Sequence, residues 1–295
     1  MERFFSKILK RSKVTAFIEL GRPWNAIIVA IFAIIGCLLA GSQVFWIFLI
    51  AAIVSFLIYI AGVSLNDVCD MDVDFINMPY RPLERFQLTV KEALYFIFFS
   101  YLIAIVISLF VSILYFLTAL LMIFVTYVYS APPFSLNKKG IIGNFILAFG
   151  SVFTTAYSGY VLATGSLNIS IQVLIPLTSL TFFFAFFTII KDFKDAFGDS
   201  MRRKRTLVVK WGTRKTSLIN IVGTLIFFPI TIFMFYSLFQ NILFAILSSV
   251  LFILLLFFEI KIFNKPSQDI GEKYWGLSRI VMLLFTILLV SSFYI

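Results

Sequence analysis

Long apolar runs alternate with short polar segments along almost the whole chain. A helix that crosses a bilayer needs about 20 mostly apolar residues. Nine runs reach that length, near residues 24–41, 44–65, 92–110, 112–130, 141–163, 169–190, 216–237, 240–258 and 275–295. The pattern predicts an all-α membrane protein with nine transmembrane helices. The third and fourth runs are almost continuous, so their turn is placed near Ser112. Pro176 and Pro229 fall inside spans, which membrane helices tolerate when neighbouring groups satisfy the freed carbonyls.

Composition agrees with this reading. Of 295 residues, 61% are hydrophobic and 13% charged, against about 25% charged in an ordinary soluble domain. The mean hydropathy is +1.05. Residues 1–295 read as one membrane domain. Histidine is absent, which removes the usual general base and the commonest metal ligand. Cys37 lies in an apolar run and Cys69 in an acidic one, so neither a disulfide nor a zinc site is indicated.

The net charge of +10 reads as membrane topology, not nucleic-acid binding. With the N-terminus in the cytoplasm, the N-terminal segment and the loops at 66–91, 131–140, 191–215 and 259–274 face inward. Together with Arg279, just inside the last span, they hold all 24 Lys and Arg, and the opposite loops hold none. The positive-inside rule then gives one orientation, a multi-pass protein of the cell membrane. All 14 Asp and Glu fall on the same side. The pattern specifies no oligomeric state.

Two inward segments carry the candidate chemistry. The first runs from Asn66 through Asp67, Asp70, Asp72 and Asp74 to Asn77 and Arg81. If the second helix continues inward, Asn66, Asp70, Asp74 and Asn77 share a face, Asp67 borders it and Asp72 points away. In the second segment Asp192, Asp195 and Asp199 again share one face. Each half of the chain thus has an apolar helix running into acidic and then basic residues, a loose internal repeat. Stacked carboxylates at a helix C-terminus repel one another and oppose the helix dipole. Cations must compensate, and magnesium suits hard oxygen ligands completed by a substrate phosphate. Arg81, Lys191, Lys194, Arg202 and Arg203 add positive charge for such a phosphate. Either segment alone also reads as solvated loop charge. Two in register on one face favour a metal–diphosphate site.

These segments, Asn66-Asp67-x-x-Asp70-x-x-x-Asp74 and Asp192-x-x-Asp195-x-x-x-Asp199, resemble the paired motifs of the UbiA superfamily of intramembrane prenyltransferases. Arg22-Pro23-Trp24-Asn25, Asn77-x-Pro79-x-Arg81-Pro82, Tyr129-Ser130-Ala131-Pro132-Pro133 and Gly143-Asn144 are similar to it as well. The chain departs from it at Leu83-Glu84-Arg85-Phe86-Gln87, where many members have a Pro-x-Gly turn, and at Ser200. The resemblance implies nine helices around a central cavity that opens to the cytoplasm. Magnesium there would be held mainly by Asp70, Asp74, Asp195 and Asp199, with Asn66, Asp67 and Asp192 completing the shells.

The implied reaction ionises a prenyl diphosphate and passes the allylic cation to a lipid-soluble or amphipathic acceptor. Tyr129, Lys138, Arg22, Asn25, Asn77, Arg81, Asn144 and Lys191 are the remaining candidates. Tyr129 reads equally as an interfacial tyrosine, Lys138 and Lys139 as topology charges, and Arg202 to Arg205 as contacts to anionic lipid. For the acceptor, the motifs lean to ether-lipid synthases that prenylate geranylgeranylglyceryl phosphate. Chlorophyll-synthase-like and quinone-precursor enzymes share the core motifs. A terpene cyclase on the same scaffold is a rival, since it ionises the same diphosphate without an acceptor. A transporter fits poorly, because transporters place charge near mid-bilayer.

Overall fold

A computed structural model of the chain describes residues 12–202 and 204–294. Most of the basic N-terminal stretch from Arg3, as well as Arg203 and the end of the ninth run, lie outside the described residues. Among those described, every regular element is helical. In order they are α1 (Lys13–Gly21), α2 (Pro23–Leu39), α3 (Phe45–Cys69), α4 (Met71–Asn77), α5 (Val90–Val111), α6 (Ile113–Ser130), α7 (Ile141–Thr164), α8 (Ile171–Phe187), α9 (Ile190–Met201), α10 (Leu207–Phe239), α11 (Ile242–Asn264) and α12 (Gln268–Ser291). Seven are long and apolar enough to cross a membrane alone, and the pairs α1–α2 and α8–α9, each bent by 45°, bring the number to nine.

The breaks follow from particular residues. Arg22 takes a left-handed conformation (φ 47°, ψ 62°) and Pro23 then starts α2, where its missing N–H would be unpaired anyway. Ser112 alone separates α5 from α6, and its hydroxyl accepts from the Tyr115 N–H at 3.1 Å, a helix N-cap. At the α8–α9 bend the Thr188 hydroxyl bonds the Ala185 carbonyl at 2.9 Å, a side-chain intrusion of the kind that bends helices. The second span is not the continuous helix expected from sequence. It breaks at Asp70 (φ −111°, ψ 12°) before α4 begins.

Packing closes the spans into a ring. Helix α2 packs on α3, α3 on α5 and α6, α6 on α7, α7 on α8, α8 on α10, α10 on α11, α11 on α12, and α12 returns to α2. Helix α2 also crosses α7. At that crossing a Cβ on Gly36 would lie 1.8 Å from the Ala156 carbonyl oxygen, and one on Gly159 would lie 2.0 Å from that of Ala33. Only backbone fits between these helices. The contact pinches the bundle at the end remote from the acidic segments.

The phenylalanines divide between two jobs. Phe183, Phe228 and Phe285 form a buried stack, with ring centroids 4.1 Å apart for Phe183–Phe228 and 4.9 Å for Phe228–Phe285. Phe98, Phe110 and Phe233 are exposed on the outside, where lipid is the fitting solvent. The segment Leu83–Gln87, at which the chain departs from the family pattern, forms a turn whose Leu83, with Leu88, packs under Ala16 and Leu20 of α1.

Candidate active site

The first acidic segment is fixed at the α3–α4 junction. Asp67, on the last turns of α3, is 2% exposed and bonds two guanidiniums, that of Arg22 and that of Arg81, the latter at 3.0 Å. Arg81 also bonds Asp74. The left-handed turn at Arg22 therefore aims its side chain at the motif. Asp70 sits at the break itself. Its Oδ2 accepts from Asn137 at 2.7 Å, Lys204 at 3.1 Å and Asn66 at 3.3 Å. Lys138 Nζ stands 3.3 Å from its Oδ1. Burial pushes the Asp74 carboxyl up to about 7, against the pull of Arg81. Asp72 is exposed, as its place in the pattern predicts.

The second segment lies on α9. Lys191 donates to Asp192 at 2.7 Å and Lys194 to Asp195 at 2.8 Å. Asp199 is 2% exposed, 3.5 Å from Asn77 Nδ2 and 4.0 Å from Lys204. Asn77 joins the two segments. Its Nδ2 donates to the Asp195 carbonyl at 2.9 Å, and its Oδ1 accepts from the Gly198 N–H at 2.7 Å. A Cβ on Gly198 would stand 2.4 Å from that oxygen, so the close approach requires glycine.

Both segments meet at one end of a cavity of about 360 Å³, within the usual range for ligand pockets. Asn66, Asp70, Asp74, Asp195, Lys191, Lys194, Lys204 and Arg22 line its polar end. Farther along lie Tyr59, Tyr129, Phe184, Phe187 and Trp275, and then Ile58, Met122, Gly150 and Thr155 toward the α2–α7 crossing. The connections at 70–89, 131–140 and 202–206 converge on the polar end, and the opposite end is pinched. A charged head and an apolar tail would fit such a shape in one direction only.

The sequence profile of the UbiA prenyltransferase family matches residues 29–290. The chain belongs to the UbiA prenyltransferase family. Among curated members, it is 35% identical over 217 residues to the digeranylgeranylglyceryl phosphate synthase of Sulfolobus acidocaldarius, covering 72% of this chain and 76% of that one. It is 31% identical over 283 residues to the synthase of the same name from Methanococcus aeolicus, covering 92% and 94%. A solved UbiA homologue from Archaeoglobus fulgidus, bound to GPP and Mg2+, superposes with a TM-score of 0.72 at 16% identity over 95% of this chain and all of that one. A digeranylgeranylglyceryl phosphate synthase structure gives 0.66 at 23% identity over 96% and 99%. As a UbiA enzyme, this protein is a membrane-embedded prenyltransferase.

Against the UbiA pattern, eight of the expected site residues line the cavity, and seven, Asp67, Asn77, Arg81, Lys138, Asn144, Asp192 and Asp199, do not. Asp67, Asp192 and Asp199 are buried but absent from its wall. Asn77 does not share the face of Asn66 and Asp70, because the break at Asp70 shifts the helical phase and turns it toward α9. Asn144 is buried behind the wall, with its amide between the Gly140 carbonyl and the Ile189 N–H, at 3.3 and 3.2 Å. It ties α7 to the α8–α9 bend. Lys204, from the basic run expected to serve topology and lipid, instead turns inward onto Asp70. Lys138 also joins Asp70. Arg202 and Lys139 are exposed, in keeping with the topology reading. Tyr59, Asn137, Glu272 and Trp275 belong to the site environment and carry no motif signal.

The donor set fits magnesium. It is all oxygen. Asp192 Oδ2 is buried without a hydrogen-bond donor, and the buried Asp70 Oδ1 has the Lys138 ammonium 3.3 Å away. Among the described residues, no three His, Cys, Asp or Glu side chains stand close enough to hold a metal alone. That suits a hard cation that keeps water and substrate oxygens in its shell.

Proposed function

We propose that this enzyme transfers a geranylgeranyl-type prenyl group from its diphosphate to a geranylgeranylglyceryl phosphate-type acceptor, with magnesium as cofactor. The observation that carries the reading is the polar mouth of the cavity. Carboxylates of both motifs and four Lys/Arg stand at one end of an apolar chamber. The acceptor follows from the relatives, which are digeranylgeranylglyceryl phosphate synthases.

Asp70, Asp74 and Asp195 would hold magnesium, with Asn66 beside them. Asp67, Asp192 and Asp199 would act from behind the wall by holding Arg22, Lys191 and Lys204. When bound, magnesium supplies positive charge against the departing diphosphate. Lys191, Lys194, Lys204 and Arg22 exchange their carboxylate partners for phosphate oxygens as that charge builds, a stabilisation greater in the transition state than in the ground state. The allylic C–O bond breaks with its electron pair on the diphosphate. The acceptor hydroxyl oxygen bonds the allylic carbon, and its proton passes to the departing diphosphate. The faces of Tyr59, Tyr129, Phe184, Phe187 and Trp275 flank this region. Such faces stabilise a cation by about 0.5–2 kcal/mol each, and the apolar chamber keeps water out. The charge distribution supports a cytoplasmic N-terminus and a cytoplasmic mouth.

The test is a product assay on purified protein with magnesium, prenyl diphosphates and a panel of acceptors. The expected product is the diether phosphate. It disappears with EDTA and returns with magnesium. A cyclic hydrocarbon made from the diphosphate alone would replace this reading with a cyclase. Transfer only to aromatic acceptors would replace the acceptor.

A further inference from the structure

We infer that Arg279 binds the phosphate monoester of the acceptor, in a subsite separate from the diphosphate site; the inference rests on the acceptor class proposed above. Five Lys and Arg side chains line the cavity. Arg22, Lys191, Lys194 and Lys204 each bond an aspartate. Arg279 is the fifth, and among the described residues it has no acidic partner. Its Nε is buried without an acceptor. Its guanidinium donates to Asn25 Oδ1 at 3.5 Å and lies 5.8 Å from the centroid of the Trp275 ring.

Position separates it from the diphosphate. Glu272 and Arg279 both face the cavity from α12, two turns apart, so Arg279 lies about 10 Å deeper along that helix. The Lys194–Asp195 pair is at the level of Glu272, because Gly271 abuts Phe193 and Lys194. A cation inside a spanning helix is costly, and Arg279 stands without a carboxylate to offset it. A second anion explains the expense. The planar fork of a guanidinium suits a phosphate monoester, and Asn25 and Trp275 hold it toward the chamber. An acceptor phosphate fixed there leaves its glycerol hydroxyl free to approach the allylic carbon below the diphosphate.

The experiment is steady-state kinetics of wild type, Arg279→Gln and Arg279→Lys with geranylgeranyl diphosphate, using geranylgeranylglyceryl phosphate or its dephosphorylated alcohol as acceptor. Arg279→Gln should raise KM for the phosphorylated acceptor at least tenfold while KM for the diphosphate changes less than twofold. Arg279→Lys should recover most of the loss. The wild-type preference for the phosphorylated acceptor should vanish in Arg279→Gln. An unchanged acceptor KM, or a shift confined to the diphosphate, overturns the inference and leaves the acceptor reading standing. A wild type that ignores the phosphorylated acceptor and prenylates aromatic carboxylates or neutral alcohols removes both. The unchanged diphosphate KM also shows that the variant is folded.

Discussion

In the proposed reading, Asn77 serves the metal site without facing it. Its amide grips α9 at the Asp195 carbonyl and the Gly198 N–H, and so fixes where the Asp195 and Asp199 side chains stand relative to Asp70. Loss of an outer partner of a metal ligand costs about 10–100-fold in metal affinity or activity. Asn77→Ala should therefore raise the magnesium concentration for half-maximal rate by about that factor, and saturating magnesium should restore much of the rate. A magnesium titration of initial rate reads this directly. An unchanged midpoint with a lower maximum would mean that Asn77 serves the chemistry itself. Spacing alone assigns Asn77 to the ligand face, because i, i+4, i+8, i+11 assumes an unbroken helix. Nothing in the residue pattern marks Asp70 as the break. Lys204 was unreadable for a related reason. A run of four basic residues gives a sign of charge but no direction, and the turn that points one of them at Asp70 is set by tertiary packing.

The spans themselves were legible, because twenty apolar residues leave the chain little alternative in a bilayer. Their bends were not. They depend on a left-handed Arg22 and on the Thr188 hydroxyl, whose effects appear only with neighbours in place. The apolar run of the eighth span ends at residue 258 in the sequence. Helix α11 runs on to Asn264 and carries Glu259 inward, 1% exposed, against α10. Its Oε1 accepts from Asn220 at 2.5 Å and Thr224 at 2.7 Å. Both donors lie on one stripe of α10, at i and i+4. This pairing is a polar clasp between two otherwise apolar helices. Interhelical hydrogen bonds in membranes average about 0.6 kcal/mol, so Glu259→Ala should cost on the order of 1 kcal/mol. Glu259→Gln keeps the accepting oxygen and should stay close to wild type. Thermal unfolding in detergent compares the three. Equal loss in both variants would point to the carboxyl itself, not the clasp.

Across the whole molecule, charge and shape point the same way. Segments that carry the basic residues are also those that meet at the cavity mouth, through Arg22–Asp67, Asn137–Asp70, Lys204–Asp70 and the Arg205 N–H to Lys138 carbonyl bond at 3.1 Å. The opposite turns, around Gln43, Asn168 and Gln240, carry no charge. One face thus has to serve two ends: holding an anionic head group, and staying where Lys and Arg are retained during insertion. A mouth on the outer face would need that many cations to cross the bilayer. Single cysteines report the outcome. Cys37 is buried and Cys69 half-buried, so Cys69→Ser gives a quiet background. In intact cells, cysteines placed at the exposed positions Gln43, Asn168 and Gln240 should react with a membrane-impermeant maleimide. Those at Lys139 and Lys265 should react only after permeabilisation. The reverse labelling pattern would place the mouth outside. Both substrates would then have to be delivered there, and the positive-inside argument for this chain would fall while its nine-span ring stood.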